Sequence, residues 1–403
     1  MMKKTYSEYT LIGIDGGATK VSGWIINNLA DKNLYDLSQY HSELSYAAIE
    51  GHISSFKPVD IKTQLSEREK EEVHLTDEEL IQGKTYIEST AKVIHDLYIL
   101  GGKKPVLIGI GMPGLKTADQ RGIDAIANGP RMPAYCSQLE ELLNMRDIQA
   151  MASIHRLGSD ADYCGVGEFY ASEGSFRGIQ NAYYLGGGTG AADALLLEGK
   201  LVPFDQIKSW MAKTWEFKND LELSLERYAS ASGLQFIYSR HSGQSIESLN
   251  NSEIYPPQIA ELAYNGDLSA GETYKEVAKY LAMLLYERIS TLYGGSEGML
   301  QFINPNRDIL EKNHIYRNKT FDRIIIGQRL GDLMASDIGH SVLTNALFKN
   351  LSDLIHESST LPPDIKNKYL KYNSFNDEII VFSKLREAPA LGAGIDAHLA
   401  YGK

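Results

Sequence analysis

Two stretches of this chain alternate in the same way between aliphatic runs and glycine. Leu11-Ile-Gly-Ile-Asp-Gly-Gly-Ala-Thr-Lys-Val-Ser-Gly-Trp-Ile-Ile-Asn27 and Tyr183-Tyr-Leu-Gly-Gly-Gly-Thr-Gly-Ala-Ala-Asp-Ala-Leu-Leu-Leu-Glu198 each read as a strand, a tight turn and a returning strand. Between and after them the pattern changes period. Residues 85–100 place Ile87, Ala91, Val93, Ile94 and Leu97 at helical spacing and lead into Pro105-Val-Leu-Ile-Gly-Ile-Gly-Met-Pro-Gly114, a buried strand entering a loop. A helix over about 135–143, a short strand near 152–157 and the loop Gly158-Ser159-Asp160 come next, followed by another helix. Residues 221–238, 257–264 and 271–293 are helical in period, with a polar loop at 242–252 and a helix start set by Pro256-Pro257. Late strands are expected at 321–327 and 377–382, and a closing helix at 388–400 whose small residues permit close packing. Strands alternating with helices predict an α/β fold with mixed sheets that begin in antiparallel hairpins.

The polar stretch 30–84 interrupts this pattern. Its run Ser66-Glu-Arg-Glu-Lys-Glu-Glu72 is too charged for a core and reads as a solvated helix or insertion.

At 403 residues and 43% hydrophobic, the chain is long enough for two domains. A net charge of -12 argues against a broad nucleic-acid interface, so any phosphate site must be local. The two cysteines, Cys136 and Cys164, form no metal-ligand spacing and fit a reducing compartment. Met1-Met-Lys-Lys looks like the start of a signal peptide, but the apolar run after it ends at Asp15, and the densest aliphatic patch, at 280–286, is far too short for a membrane span. A cytoplasmic protein without a membrane partner is expected.

The glycine turns carry the candidate chemistry. Gly16 and Gly17 in the first, and Gly187, Gly188 and Gly190 in the second, let backbone N–H groups converge with no Cβ in the way, forming a nest for anionic oxygens. Two such halves suit a nucleotide polyphosphate. Asp15, at the end of the first strand, is placed to hold a hydrated Mg²⁺ against ATP phosphates, and Thr19 and Lys20 follow where phosphate oxygens would lie. Neither turn is a Walker A loop or a GxGxxG loop. Ser159-Asp-Ala-Asp162 opens a helix, where Ser and Asp serve as caps. Asp160 also suits a base that accepts the proton of an alcohol during phosphoryl transfer.

The order of these motifs resembles the ROK family of sugar kinases, within the hexokinase, Hsp70 and actin superfamily. Ile12-Gly-Ile-Asp-Gly-Gly-Ala-Thr-Lys20 is similar to the family's first phosphate motif, and Gly109-Ile-Gly-Met-Pro-Gly114 to its G-x-PG loop. Ser159-Asp-Ala-Asp-Tyr-Cys-Gly-Val-Gly-Glu168 resembles N-D-A-N-x-x-x-x-G-E, which places the family's catalytic Asp on Asp160. Residues 186–202 resemble the second phosphate motif, with Thr189 among its glycines; Leu225-Glu226-Arg-Tyr-Ala-Ser230 resembles L-E-x-Y-A-S, whose Glu contacts sugar hydroxyls. The resemblance spans nearly the whole chain.

It implies a two-domain, actin-like ATPase fold of the ribonuclease H type with an interdomain cleft. One lobe would comprise 1–150 completed by 385–403, the other 151–384. It further implies ATP-dependent phosphorylation of a sugar, at the 6-hydroxyl of a hexose or amino sugar, with ATP and Mg²⁺ as cofactors, Ser159 and Glu226 as sugar contacts, and a homodimer as an option. The departures are local. Where the family has G-E-x-G-H and a cysteine-rich zinc loop, this chain reads Pro203-Phe-Asp-Gln-Ile-Lys-Ser-Trp210, so zinc is not expected. The family's nucleotide-binding I-G-G-G is Ile326-Gly-Gln-Arg329 here, which retains Gly327 but puts Gln328 and Arg329 beside it. Repressors of the family carry an N-terminal helix-turn-helix, for which there is no room before residue 12. A sugar- or nucleotide-binding regulator on the same fold, and a kinase for another small metabolite, remain as alternatives. A filament-forming or chaperone-like ATPase would need no sugar base, which Asp160 and Glu226 argue against.

Overall fold

The computed structural model describes residues 8–29, 34–295, 297–303 and 310–402. The N-terminal segment weighed as a signal peptide and the start of the polar stretch lie outside them. The chain divides into two compact units, Met1–Ser172 with Glu387–Lys403, and Glu173–Arg386.

The first unit is built on strands β1 (Thr10–Gly16), β2 (Lys20–Leu29), β3 (Leu34–Ser45), β4 (Val106–Gly111) and β5 (Leu157–Gly158), in the sheet order β3-β2-β1-β4-β5. β1 and β2 form the expected antiparallel hairpin, whereas β4 and β5 run parallel to β1. Helix α1 (Asp77–Leu100) covers the sheet, starting a full two turns earlier than its apolar period shows because Thr76 and Glu79 close a capping box. Helices α2 (Asp160–Tyr170) and α7 (Ala388–Tyr401) also belong to this unit. The sequence places the division near residue 150; the packing of α2 against α7 moves it to Ser172.

The second unit repeats the plan. Strands β6 (Ala182–Gly187), β7 (Ala191–Leu197), β8 (Lys200–Val202), β9 (Arg323–Gly327) and β10 (Ile380–Phe382) are ordered β8-β7-β6-β9-β10, again with an antiparallel start followed by two parallel strands. The two glycine hairpins are thus the first strand pairs of two sheets of one topology. The helices of this unit include α3 (Glu226–Ala229), α4 (Ala231–Ser242), α5 (Leu268–Gly294) and α6 (Gln328–Ala335). α5 supplies Val277, Leu281, Leu284, Leu285 and Ile289 to the core, and its buried Arg288 reaches Asp193 of β7 at 3.0 Å.

Several sequence expectations shift. The helix expected over 221–238 breaks at Ser230, which is extended and caps α4 through Gly233 N–H. The loop at 242–252 contains a short helix, Ile246–Asn251, capped by Ser245. Only Ile380–Phe382 of the last expected strand is extended, Asp377–Ile379 being a 3-10 turn. The charged run 66–72 is solvated as expected, all of it but Glu67 exposed, and its helix is held through a few specific contacts. Its helix Ile61–Glu69 buries Gln64, whose amide pairs with both backbone groups of Ile126 at 2.8 and 3.1 Å. Fully buried Arg131 gathers Glu79, Glu67 and the carbonyl of His74. Among the described residues no helix is long and apolar enough to cross a membrane.

α7 lies against backbone. A Cβ on Gly13 of β1 would sit 1.9 Å from the carbonyl oxygen of Ala390, one on Gly109 of β4 1.9 Å from that of Ala393, and one on Gly392 1.9 Å from that of Tyr163 in α2. Gly109→Ala therefore forces two backbones apart, and urea denaturation should show a loss of about 1–3 kcal/mol. Gly271→Ala on α5 meets nothing within 4 Å and should be neutral or stabilising by up to about 1 kcal/mol. Equal stability of the two variants would contradict this packing.

Candidate active site

Parallel strands deliver their ends to one edge, and the carboxyl edge of an open α/β sheet is where ligands bind. In the first unit Asp15 of β1 lies opposite Gly111 of β4, and Gly111 lies opposite Gly158 of β5. Asp15, the G-x-PG loop and Ser159-Asp160 therefore emerge side by side. The ring of Tyr163 fills the space beneath: a Cβ on Gly158 would lie 2.1 Å from its Cζ, and one on Gly111 3.2 Å from its Cδ2. Tyr163 is tied by its hydroxyl to Asp396 of α7 at 3.2 Å, and Asp396 holds Arg156 in a bidentate pair at 2.7 and 2.9 Å.

The capping motif separates its two carboxylates. Ser159 accepts from Asp162 N–H at 3.0 Å and donates to Asp162 Oδ2 at 2.8 Å, so these two residues close the start of α2. Asp160 is left exposed, with Oδ1 accepting, among the described residues, from the next N–H. The serine hydroxyl expected to meet a sugar is engaged in the cap.

Asp15 is half-buried and faces negative charge. Burial first, then Asp160 and Glu387, push its carboxyl up to about 7, with Lys20 pulling the other way. Glu387, just before α7, is a member of this group that motif reading missed; its only sequence signal is that it precedes the small-residue helix. Lys20 is paired with Glu43 at 2.5 Å.

The first glycine turn packs on the G-x-PG loop, since a Cβ on Gly16 would meet Met112 Sδ at 2.0 Å. Lys116 Nζ holds that loop by the carbonyls of Met112, Pro113 and Gly114 at 2.6, 3.3 and 2.8 Å. Gly17 N–H closes the turn onto Lys20 O at 2.9 Å, and Thr19 is exposed.

In the second unit Gly186 lies opposite Gly327, which brings the second turn beside the start of α6. Gly187 needs its missing side chain, as a Cβ would lie 2.4 Å from Leu330 Cβ. Polar side chains reach the turn from other elements. Glu226 Oε1 accepts from Ala191 N–H at 3.0 Å and lies 2.8 Å from where a Gly190 Cβ would be. Gln328 Oε1 lies 2.6 Å from the corresponding point on Gly188, and Gln328 itself has φ +58, a strained conformation for a long side chain. Thr189 O accepts from Ser232 Oγ, and Gly188 N–H closes onto Gly190 O at 3.0 Å. Within each unit the predicted residues thus gather at one sheet edge: Asp15, Gly16, Gly17, Thr19, Lys20, Ser159 and Asp160 in the first, and Gly187, Gly188, Thr189, Gly190, Glu226 and Gly327 in the second.

No protein-family model matches the sequence, and no curated protein does. Solved structures do. The chain is similar to a ROK family glucokinase from Streptomyces griseus, in complex with glucose and AMPPNP, at 13% identity over 97% of this chain and 99% of that one, with a TM-score of 0.56. It is similar to a ROK hexokinase from Thermus thermophilus at 14% identity over 98% and 99%, with a TM-score of 0.54. A ROK family transcriptional regulator, a homologue of the E. coli MLC protein, matches at 11% identity over 98% of this chain and 79% of that one, TM-score 0.54. The chain therefore has the two-domain α/β fold of these ROK structures. Within it the resemblance is to the ROK proteins, kinases and a regulator alike, as a divergent relative in fold.

The raised Asp15 carboxyl has a sign. Between its ordinary value of 3.8 and about 7 the folded chain holds a proton that the unfolded chain has lost, so Asp15 makes stability fall as pH rises through that window and adds no slope above it. In metal-free buffer, the urea midpoint of Asp15→Asn should gain on wild type as pH rises from about 4 to about 7, and the difference should level off above that. Parallel pH profiles would show that Asp15 ionises as an ordinary carboxylate.

Proposed function

We propose that the chain is a divergent ROK-family kinase that transfers the γ-phosphoryl group of ATP to a sugar hydroxyl, the 6-hydroxyl of a hexose or amino sugar. The observation that carries this reading is the division of labour in Ser159-Asp-Ala-Asp162. Ser159 and Asp162 satisfy the helix start between them, which leaves Asp160 exposed at the sheet edge beside Asp15. The capping hydrogen bonds are complete without the Asp160 carboxylate, whose structural use is then confined to the helix dipole.

In the proposed reaction the acceptor O–H bond breaks as its oxygen forms a bond to the γ-phosphorus, and the proton passes to an Asp160 carboxylate oxygen. The bond from the γ-phosphorus to the bridging oxygen breaks, and ADP leaves. Positioning and charge stabilisation supply most of the rate in such transfers. Asp15 suits Mg²⁺ held through water: it is one carboxylate, and among the described residues no three His, Cys, Asp or Glu side chains converge as a direct ligand set. Bound there, Mg²⁺ would neutralise phosphate charge. Gly16, Gly17, Thr19 and Lys20 would serve one part of the polyphosphate, and Gly187, Gly188, Thr189 and Gly190 another, with Gly327 on the nucleotide side. Glu226 has one oxygen anchored on Ala191 N–H; Oε2 is its acceptor for a sugar hydroxyl.

A second reading, a regulator that binds without transfer, is favoured by Gln328, whose strained backbone brings a side chain onto Gly188. Coupled ADP release over a panel of hexoses, amino sugars and other alcohols separates the two. Release that depends on one sugar supports the kinase. Sugar and nucleotide binding without ADP supports the regulator, and release with a non-sugar alcohol alone points to another metabolite kinase.

Asp160→Asn should lower kcat by roughly 10²-fold or more with sugar and ATP affinity nearly intact. Asp162→Asn should cost about 1 kcal/mol of stability as a weakened cap and leave kcat close to wild type. Equal, small effects on turnover would overturn the assignment of the base.

Glu226→Gln keeps an oxygen for Ala191 N–H but loses the charge at Oε2. It should raise the KM for sugar on the order of tenfold and leave that for ATP unchanged. Glu226→Ala releases Ala191 as well and should raise both. Unchanged sugar KM in both variants would remove Glu226 from the acceptor site.

A further inference from the structure

Three consecutive carbonyls of the first glycine turn are held from one side. Gly17 O accepts from the Tyr46 hydroxyl at 3.1 Å, and Ala18 O from the Tyr86 hydroxyl at 2.9 Å. Thr19 O accepts from Tyr46 N–H at 3.1 Å and from Ser45 Oγ at 3.4 Å. The two tyrosines come from separate elements, a 3-10 turn at Tyr46–Ala48 and helix α1, yet their rings stack with centroids 3.6 Å apart and planes 18° apart. Both are buried, at 1% and 4% exposure. Burial pushes the Tyr86 hydroxyl up to about 12 and that of Tyr46 well above its ordinary value, so both stay protonated and donate.

The geometry of a trans peptide turns this anchoring into a statement about the other side of the turn. C=O and N–H point in opposite directions across each planar unit, and no peptide here is cis. Holding the carbonyls of Gly17 and Ala18 against the tyrosines therefore turns the N–H groups of Ala18 and Thr19 away from them. Those two residues are exposed, and neither N–H has a hydrogen-bond partner among the described residues. Gly17 N–H is already spent within the turn.

We infer that Tyr46 and Tyr86 are positioning residues that preset the first glycine turn for a phosphate, their hydroxyls drawing the carbonyls aside so that the Ala18 and Thr19 N–H groups face the anion. Freed of these anchors, the peptides can rotate and present carbonyl oxygens, which repel phosphate. The inference rests on the proposed ATP reading for the identity of the anion. It needs a hydroxyl at each position, whereas the stacking and burial need only the rings.

Tyr46→Phe, Tyr86→Phe and the double variant keep the rings and remove the hydroxyls. Calorimetric titration with Mg·ATP and, separately, with inorganic tripolyphosphate should show affinity falling about two- to tenfold per hydroxyl. The KM for sugar should stay constant, and melting temperatures should remain close to wild type. Affinities equal to wild type would overturn the inference. So would a parallel loss of phosphate affinity, sugar affinity and melting temperature, which is the mark of a merely structural pair. A wild type that binds ATP but transfers nothing to any sugar would overturn the kinase reading while the Phe comparison still decides the inference. A wild type that binds neither ATP nor tripolyphosphate would overturn both.

Discussion

Contact of backbone with backbone is the constraint on which the first unit depends. Helix α7 approaches β1, β4 and α2 at Gly13, Gly109 and Gly392, places where a single methyl group would meet a carbonyl oxygen. No other side chain permits that distance. Because the helix lies so close, Asp396 reaches both Arg156 and Tyr163, and the Tyr163 ring wedges under Gly111 and Gly158. The carboxyl edge of the sheet is thereby set, with Asp15 and the start of α2 on it. Glu387, at the entrance of the same helix, adds its charge to theirs. Packing, geometry and electrostatics at this edge are consequences of one close approach.

The second unit reaches a similar turn by different means. Its sheet has the same strand order, but the turn between β6 and β7 is braced by Leu330 behind Gly187, by the Glu226 carboxylate on Ala191 and by Gln328 over Gly188. The first turn is braced by two tyrosine hydroxyls acting on carbonyls. One arrangement turns N–H groups outward, and the other engages an N–H with a carboxylate of the chain itself. Two halves alike in topology are thus unlike in electrostatics, and Gln328 carries positive-φ strain at the place where the resemblance puts glycine. Such strain persists only where surrounding structure holds it.

Both hairpins, the α/β class with mixed sheets and the residues gathered at each sheet edge were legible in the sequence, because they depend on local pattern: alternation, glycine at bends, and an acidic residue at a strand end. What escaped was long-range. Nothing local to Tyr46 or Tyr86 shows that they meet, since they lie in different elements and touch the turn through hydroxyls. Glu387 acquires meaning only when α7 returns to β1. The charged run at 66–72 is solvated as read, but its tie to the core was hidden, because Arg131, the partner of Glu67, lies far along the chain and is fully buried. The helix break at Ser230 was hidden by continuous apolar period, although serine is among the residues favoured at a helix N-cap.

The proposed kinase reaction requires the edge holding Asp15 and Asp160 to direct a phosphoryl group to an alcohol oxygen and not to water. ³¹P NMR of the chain with Mg·ATP and the sugar selected by ADP release measures this directly. The account predicts a phosphate-ester resonance growing in step with ADP, coupled to the protons of the phosphorylated carbon, and lost in Asp160→Asn. ADP accompanied by inorganic phosphate alone, or an ester that forms equally well without the Asp160 carboxylate, would contradict it.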